Sequence, residues 1–342
     1  MNKVFLIGNG FDLAHGLKTK YSDFILWYFN EAIQSFKSRK SNVFDDDLIT
    51  IQNDGYTTPI IDTIEQLNEL TNNKLVVINF KHYFFRDFVR KLEGLRWVDI
   101  EYQYYLELIK VYKYSHNDDT EPGVSMELIN LNNCFNSVKK KLIEYLETIE
   151  ISWKIVKPQI QEHLHNELIK NSTNSHNLFI IFNYTNTIKL YQNYLNDVPH
   201  QIVYIHGRLG NEKNPIIFGY GDEMDEYYSK LERLNINQYL NNIKSFSYSL
   251  TTNYQDCILF LASRPYSVSI MGHSCGISDR LLLNTIFTDD HCEEIKIYYY
   301  QKNDSENDYF EKNQEISRHF PPEKKARMRE IIKPLPLSLP LT

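Results

Sequence analysis

Four apolar residues, Val4-Phe5-Leu6-Ile7, run without interruption into Gly8-Asn9-Gly10 and then Phe11-Asp12. An unbroken apolar run rich in β-formers suits a strand buried on both faces, the habit of parallel sheets in α/β proteins. Two glycines directly after it permit a sharp turn and let main-chain N–H groups come close to an anion. The spacing falls short of a full dinucleotide fingerprint, since Leu13 stands where a third glycine belongs and the next glycine is Gly16. A strand–turn–helix junction without any ligand accounts for the same letters equally well.

Beyond Gly16 the chain divides by character. Leu17, Tyr21, Phe24, Ile25, Tyr28 and Phe29 fall near helical spacing, so a helix is expected from about Leu17, capped by Thr19 or Ser22 with Asp23 in its first turn. From 31 to 174 the chain reads as a mainly helical insertion. Within it, 45–73 is expected to be loop or one short helix, with a turn at Asn53-Asp54-Gly55 and a break at Pro59. Trp97 to Ile109 reads as an amphipathic helix with an aromatic face, 116–123 as a solvated turn, and Met126 to Ile155 as a long helix ended before Pro158. His163 and His165, two apart, point away from each other on a helix and read as surface residues.

Strand signals resume at 178–182, 201–205, 216–218, 267–271 and 294–300, with helical stretches at 188–195 and 281–287 between them. The expected architecture is α/β: a parallel, Rossmann-like sheet covered by helices, formed by 1–30 and 175–302, with 31–174 inserted. Residues 303–342 are expected to supply a C-terminal helix near 323–332 and a Pro/Leu tail, either an extended arm or mobile.

A length of 342 residues fits about two domains or one with an insertion, and 42% hydrophobic content with 25 Tyr and 19 Phe supports a sizeable core. The 37 Lys and Arg against 44 Asp and Glu give a formal charge of -7, which argues against nucleic acid or an anionic membrane as partner. Cys134, Cys257, Cys275 and Cys292 form no C-x-x-C pair, which speaks against a zinc knuckle or disulfide framework and for a reducing, cytoplasmic setting. The run Val4–Ile7 is too short for a signal-peptide core, and no stretch reaches the ~18 apolar residues of a membrane span.

Ligands of open α/β sheets sit outside the carboxyl ends of the strands. There the sequence places Gly8-Asn9-Gly10, Asn183-Tyr184-Thr185-Asn186-Thr187, His206-Gly207-Arg208, Gly219-Tyr220-Gly221-Asp222 and Gly272-His273-Ser274-Cys275-Gly276. Each alone is a loop, but together they suggest one nucleotide-sized site. Asp222 and Glu223 could bind a metal, but no second cluster supports it, and none is expected.

The stretches Ile7 to Tyr21, Trp97-Val98-Asp99-Ile100-Glu101, Phe182-Asn183-Tyr184-Thr185, Ile205-His206-Gly207 and Gly272-His273-Ser274 with Asp279 resemble the AbiH family of bacterial abortive-infection proteins along nearly the whole chain. The order of strand ends is also similar to sirtuin-like domains, which bind NAD and in several bacterial defence systems hydrolyse it. That resemblance implies Asn183 at the position of the family Asn, His206 at that of the catalytic His and Gly272–Ser274 as the late turn. Phe182 and Thr185 depart from it, replacing a Thr and an Asp, so ribose contacts are rearranged or lost. Thr251 to Asp256 mimics the middle motif by letters but stands in the wrong order.

The resemblance implies His206 as general base and Asn183 as holder of the ribose hydroxyls or a water. Gly8, Asn9 and Gly10 would offer N–H groups to the pyrophosphate, with Arg208 as a charge-assisted contact. Phe11, Asp12, Tyr184, Thr185, Gly207, Gly272, His273, Ser274 and Asp279 would complete the nucleotide site, Asp12 being equally readable as a helix cap and Asp279 more readily as a cap than as a catalyst. Glu101 rests on family resemblance alone. The expected function is NAD glycohydrolysis in phage defence, with NAD or a related nucleotide as ligand and no other cofactor. Control would come from a homo-oligomer or a defence partner docking on the insertion. The alternative is a nucleotide-binding sensor or assembly module without turnover.

Overall fold

The computed structural model describes residues 1–38, 43–52, 60–72, 77–94, 99–115, 123–169 and 175–342. The expected features at Asn53-Asp54-Gly55, Pro59, Trp97 and 116–122 lie outside these. In chain order the described strands are β1 (Asn2–Ile7), β2 (Val43–Asp45), β3 (Ile49–Gln52), β4 (Val77–Phe80), β5 (Asn177–Ile181), β6 (His200–Tyr204), β7 (Tyr266–Met271), β8 (Cys292–Tyr299) and β9 (Leu339–Pro340). The chain forms two compact units, one of 1–18, 149–224 and 243–342, the other of 19–148 and 225–242.

The first unit holds a six-stranded, all-parallel sheet in the order β6-β5-β1-β7-β8-β9. The chain therefore builds outward from β1 in one direction, returns, and builds outward in the other, which is the doubly-wound, Rossmann-like order. Its first strand is central, and Val4, Phe5 and Leu6 have no exposed surface. Alternate residues feed two cores, as the period of a strand requires. Val4 and Leu6 pack with Leu178, Ile180, Val268 and Ile270 against the helices Asn253–Ser263, Arg280–Thr288, Tyr309–Ser317 and Lys325–Ile331. Phe5 and Ile7 pack with Phe179 and Ile181 against the helix Pro158–Ile169, with the rings of Phe5 and Phe179 stacked 4.4 Å apart.

Several expectations need correcting. Ile216–Phe218 is no strand: Ile217 N–H reaches the His206 carbonyl at 2.9 Å, so the segment is pinned to a loop instead of a ladder. The long helix from Met126 stops at Glu147, and Pro158 opens a new helix, at the position where its missing N–H costs nothing. That second helix buries His163, whose ring meets the Pro340 carbonyl at 2.9 Å, while His165 is exposed. The Pro/Leu tail supplies the edge strand β9, secured by Leu341 N–H on the Tyr299 carbonyl at 2.8 Å.

In the second unit, 45–73 carries more than loop or one helix: β2 and β3 form a hairpin, the helix Ile64–Asn72 follows, and β4, beyond that stretch, pairs with β3 to extend the sheet. Asp46 Oδ1 accepts both Leu48 and Ile49 N–H at 2.9 Å, the side-chain turn that lets the hairpin close. The expected N-terminal helix starts at Tyr21, with Asp23 accepting Lys20 N–H at 3.0 Å. Aromatic rings fill this core: Tyr104 stacks on Phe135 at 4.1 Å, and Phe29 on Phe85 at 6.4 Å. Glu101 lies here, buried in the first turn of Ile100–Ser115, with Asp99 accepting its N–H at 3.0 Å.

The loops after β1 and β7 are sewn together. Gly10 donates to the Gly272 carbonyl at 2.8 Å, and Gly272 has φ +78° with a Cβ position only 2.1 Å from Phe11 N. Gly16 has nearly the same φ, +79°, but open space around it. Both Gly→Ala variants incur the cost of a left-handed backbone, about 1 kcal/mol, and only Gly272→Ala must also force two backbones apart. In denaturant unfolding we expect Gly16→Ala to lose about 1 kcal/mol and Gly272→Ala ~3 kcal/mol or more; equal losses would show the contact between the loops to be slack.

Candidate functional site

The carboxyl ends of β1, β5, β6 and β7 converge, and the side chains there form two connected groups. The first is centred on Asp279, buried where the chain turns from the β7 loop into Arg280–Thr288. Its Oδ1 lies 2.8 Å from Lys244 Nζ and 3.0 Å from His206 Nε2, and its Oδ2 lies 3.4 Å from His273 Nε2. Burial opposes its charge, but the Lys244 ammonium and the two imidazoles hold its carboxyl well below the usual carboxylate range. Lys244 is itself buried, so each charge is the other's solvent.

Burial also lowers the pKa of both histidines, with Lys244 adding to the effect, so both are neutral at pH 7. Their two nitrogens are then inequivalent. His273 is fully engaged: Nδ1 accepts Cys275 N–H at 3.0 Å and Nε2 faces Asp279. For His206, the Asp279 oxygen is off the ideal hydrogen-bond line, but a carboxylate at that range admits only a protonated Nε2. Its Nδ1 therefore carries the lone pair. This gives His206 the tautomer a general base needs, with Asp279 as its orienting partner.

The second group is Asp12, Asn183, Thr185 and Thr187. Thr185 Oγ1 donates to Asp12 Oδ2 at 2.5 Å, and Thr187 Oγ1 lies 3.4 Å from Thr185 Oγ1. Asp12 Oδ1 and both amide atoms of Asn183 are buried without a hydrogen-bond partner among the described residues. Burial pushes the Asp12 carboxyl up to about 6, against the pull of Thr185, Thr187 and the neighbouring Asn183 amide. The groups are joined by 182–185: the Phe182 ring stands 4.0 Å from that of His273 and 5.3 Å, edge-on, from that of His206, and Tyr184 lies 6.3 Å from His206.

Not every expected residue faces this cluster. Phe11 is wholly buried in the core against His15 and Tyr191, with no surface for a nucleotide. The N–H groups of Gly8 and Gly10 are spent on the carbonyls of Met271 and Gly272, so they cannot serve a pyrophosphate; these glycines admit the neighbouring loop instead. Asn9 opens the short helix Asn9–Ala14. Gly207 turns the chain at φ +80° against Pro215, and Arg208 is half-buried with its guanidinium over the Tyr204 ring at 5.4 Å. Ser274 Oγ accepts Gly276 N–H at 3.4 Å. In the misleading stretch after Thr251, Asn253 Nδ2 donates to the Tyr204 carbonyl at 2.9 Å and thereby anchors the end of β6.

Sequence reasoning missed Lys244, Lys312 and His319. Lys312 Nζ donates to the His273 carbonyl at 2.8 Å and His319 Nε2 to the Cys275 carbonyl at 2.8 Å, fixing the loop that carries Asp279. No motif marks any of the three. Asp222, a possible metal ligand by sequence, accepts Met224 N–H at 2.9 Å and pairs with Arg280 at 3.1 Å. Among the described residues no group of three or more His, Cys, Asp or Glu could hold a metal ion, and no helix is long and apolar enough to cross a membrane.

Asp12 makes the cost of the site measurable. Its folded pKa, about 6, lies above the ordinary 3.8, so the fold favours the protonated acid; that stabilisation is complete below pH 3.8 and lost as pH rises through 6. Asp12→Asn keeps an acceptor for Thr185 without the charge. We expect it to be more stable than the native chain at pH 7.5 by on the order of 3 kcal/mol, with the advantage gone near pH 4. Denaturant unfolding at both pH values checks this, and a pH-independent loss would contradict it.

The sequence was also compared with known proteins. A family described as Bacteriophage abortive infection AbiH matches residues 4–301 of the 342. Among curated proteins no significant match is found.

Proposed function

The chain belongs to the bacteriophage abortive infection family AbiH, and from that premise we propose that it is an NAD glycohydrolase whose activity depletes the dinucleotide during infection. The observation that carries this reading is the pairing of an oriented, neutral His206 with the unsatisfied polar atoms of Asn183 and Asp12 at the strand ends. Buried polar groups left without partners cost stability, and a site that retains them favours an occupant that satisfies them. Asn183 offers donors and an acceptor, Asp12 an acceptor: a set that suits hydroxyls or water and disfavours a phosphate against the carboxylate.

The chemistry asks little of the protein. The bond between the nicotinamide nitrogen and C1′ of the ribose breaks with its electron pair going to the nitrogen, which quenches the positive charge of the ring. Water adds to the resulting oxocarbenium-like C1′ and gives up a proton. His206 Nδ1 takes that proton, while Asp279, kept ionised by Lys244, holds the proton on its other nitrogen and fixes the ring. The products are nicotinamide, ADP-ribose and one proton. A free enzyme of this kind would harm its host, so control by self-association or a defence partner belongs to the proposal, as does a cytoplasmic location where NAD is found.

A second reading, a nucleotide sensor without turnover, draws on Phe182. Its ring packs against those of both His206 and His273, and the loops after β1 and β7 close on each other. Nicotinamide release from NAD separates the two readings. We expect His206→Ala and Asn183→Ala, shown to be folded, each to lower the rate by ~100-fold or more. NAD binding without release would favour the sensor; neither binding nor release would contradict both.

A further inference from the structure

We propose that Asp12 is the carboxylate that binds the 2′-hydroxyl of the reacting ribose, supplied from the first turn of the fold in place of the acid that 183–185 lacks. The inference rests on the hydrolase reading and names what its site selects: an intact ribose hydroxyl next to the bond that breaks.

Three observations lead there. After β5 the sequence Asn183-Tyr184-Thr185 ends in a hydroxyl, and that hydroxyl donates to Asp12 Oδ2 at 2.5 Å. Thr185 thus holds a carboxylate at this position without carrying one. Donation to Oδ2 leaves Oδ1 as the acceptor, and Oδ1 is buried and unpartnered. Neither atom of the Asn183 amide makes a hydrogen bond of good geometry, although the amide lies close enough to Asp12 to favour its charge, so the pair presents acceptor, acceptor and donor side by side. A sugar hydroxyl can both donate to Asp12 and accept from Asn183; a phosphate offers only acceptors and meets the carboxylate repulsively.

The position adds a reason for the charge. An oxocarbenium-like C1′ gains positive charge as the leaving group departs, and hydrogen bonds to the neighbouring 2-hydroxyl strengthen at that moment. A carboxylate bound to that hydroxyl in a water-poor site stabilises the developing charge more than the ground state. Asp12 touches the substrate but not the bond, and His206, whose ring meets that of Phe182 edge-on at 5.3 Å, handles the water.

The test compares NAD with its analogue lacking the 2′-hydroxyl on the nicotinamide ribose. The readouts are kcat/KM for nicotinamide release and, in a His206→Ala background where turnover is lost, Kd by calorimetry. With Asp12 intact we expect NAD to be preferred in both readouts, in binding by roughly tenfold to a hundredfold. Asp12→Asn lowers the values for NAD and leaves those for the analogue, collapsing the preference to within about threefold. Thr185→Val, which removes only the group that orients the carboxylate, gives a partial collapse and tests the same contact without altering Asp12. Equal handling of NAD and analogue by the native chain, or equal losses for both in Asp12→Asn, would overturn the inference while leaving the hydrolase reading standing. A native chain that neither binds nor cleaves NAD would overturn both.

Discussion

The site depends on one buried charge. Asp279 is ionised in the protein interior because Lys244, equally buried, lies 2.8 Å away, and neither could be charged there alone. Two neutral histidines complete its surroundings, and one carboxylate thereby sets the tautomer of both imidazoles. Breaking such a pair leaves an uncompensated buried charge, typically costing about 3–5 kcal/mol, whereas an apolar replacement of both partners is often neutral. An ion pair in this place is therefore hard to explain by stability alone. Its effect is to set the His206 and His273 rings against one carboxylate at the edge of a parallel sheet.

The rest of the first unit serves the same edge. β1 lies at the centre of the doubly-wound order, so its end is flanked by the ends of β5 and β7. In many proteins of this order the crevice at the reversal point receives the ligand. Here the Gly10–Gly272 contact closes it, and the polar groups gather beside it, between the ends of β1, β5 and β6 and the loop to Asp279. The C-terminal segment is part of this arrangement, since Lys312 and His319 hold the carbonyls of His273 and Cys275. Asp12 adds a second unfavourable charge whose folded pKa of about 6 leaves it ionised at pH 7. Two costs of this kind thus fall at one set of strand ends.

Much of the scaffold was legible because local pattern and tertiary burial agree. Val4-Phe5-Leu6-Ile7 reads as a two-face-buried strand and is one, and four of the five later strand signals, all but 216–218, recur as β5 to β8 within a few residues. The failure at 216–218 has a local cause: an apolar run after Pro215 carries the letters of a strand, but its hydrogen bonds go to the His206 loop. The hairpin at β2 and β3 was missed because an Asp-led turn forms it without glycine. The glycines after β1 were recognised as a close approach, but the approaching group is the β7 loop. The site was legible only in part. Asn183, His206 and Asp279 stand in strand-end loops where polar residues are visible, whereas Lys244 reaches Asp279 from 35 positions away and Asp12 reaches Thr185 from 173. Nothing periodic connects such pairs, since they are made by the order of strands in the sheet.

If Asp12, Asn183 and His206 surround one sugar, a crystal structure of the His206→Ala chain with NAD tests it most directly. The expected result is a ribose with its hydroxyls within hydrogen-bond distance of Asn183 and Asp12 Oδ1, and its C1′ facing the position of residue 206. Nucleotide bound elsewhere, or Asn183 and Asp12 turned to satisfy each other with no sugar between them, would contradict it.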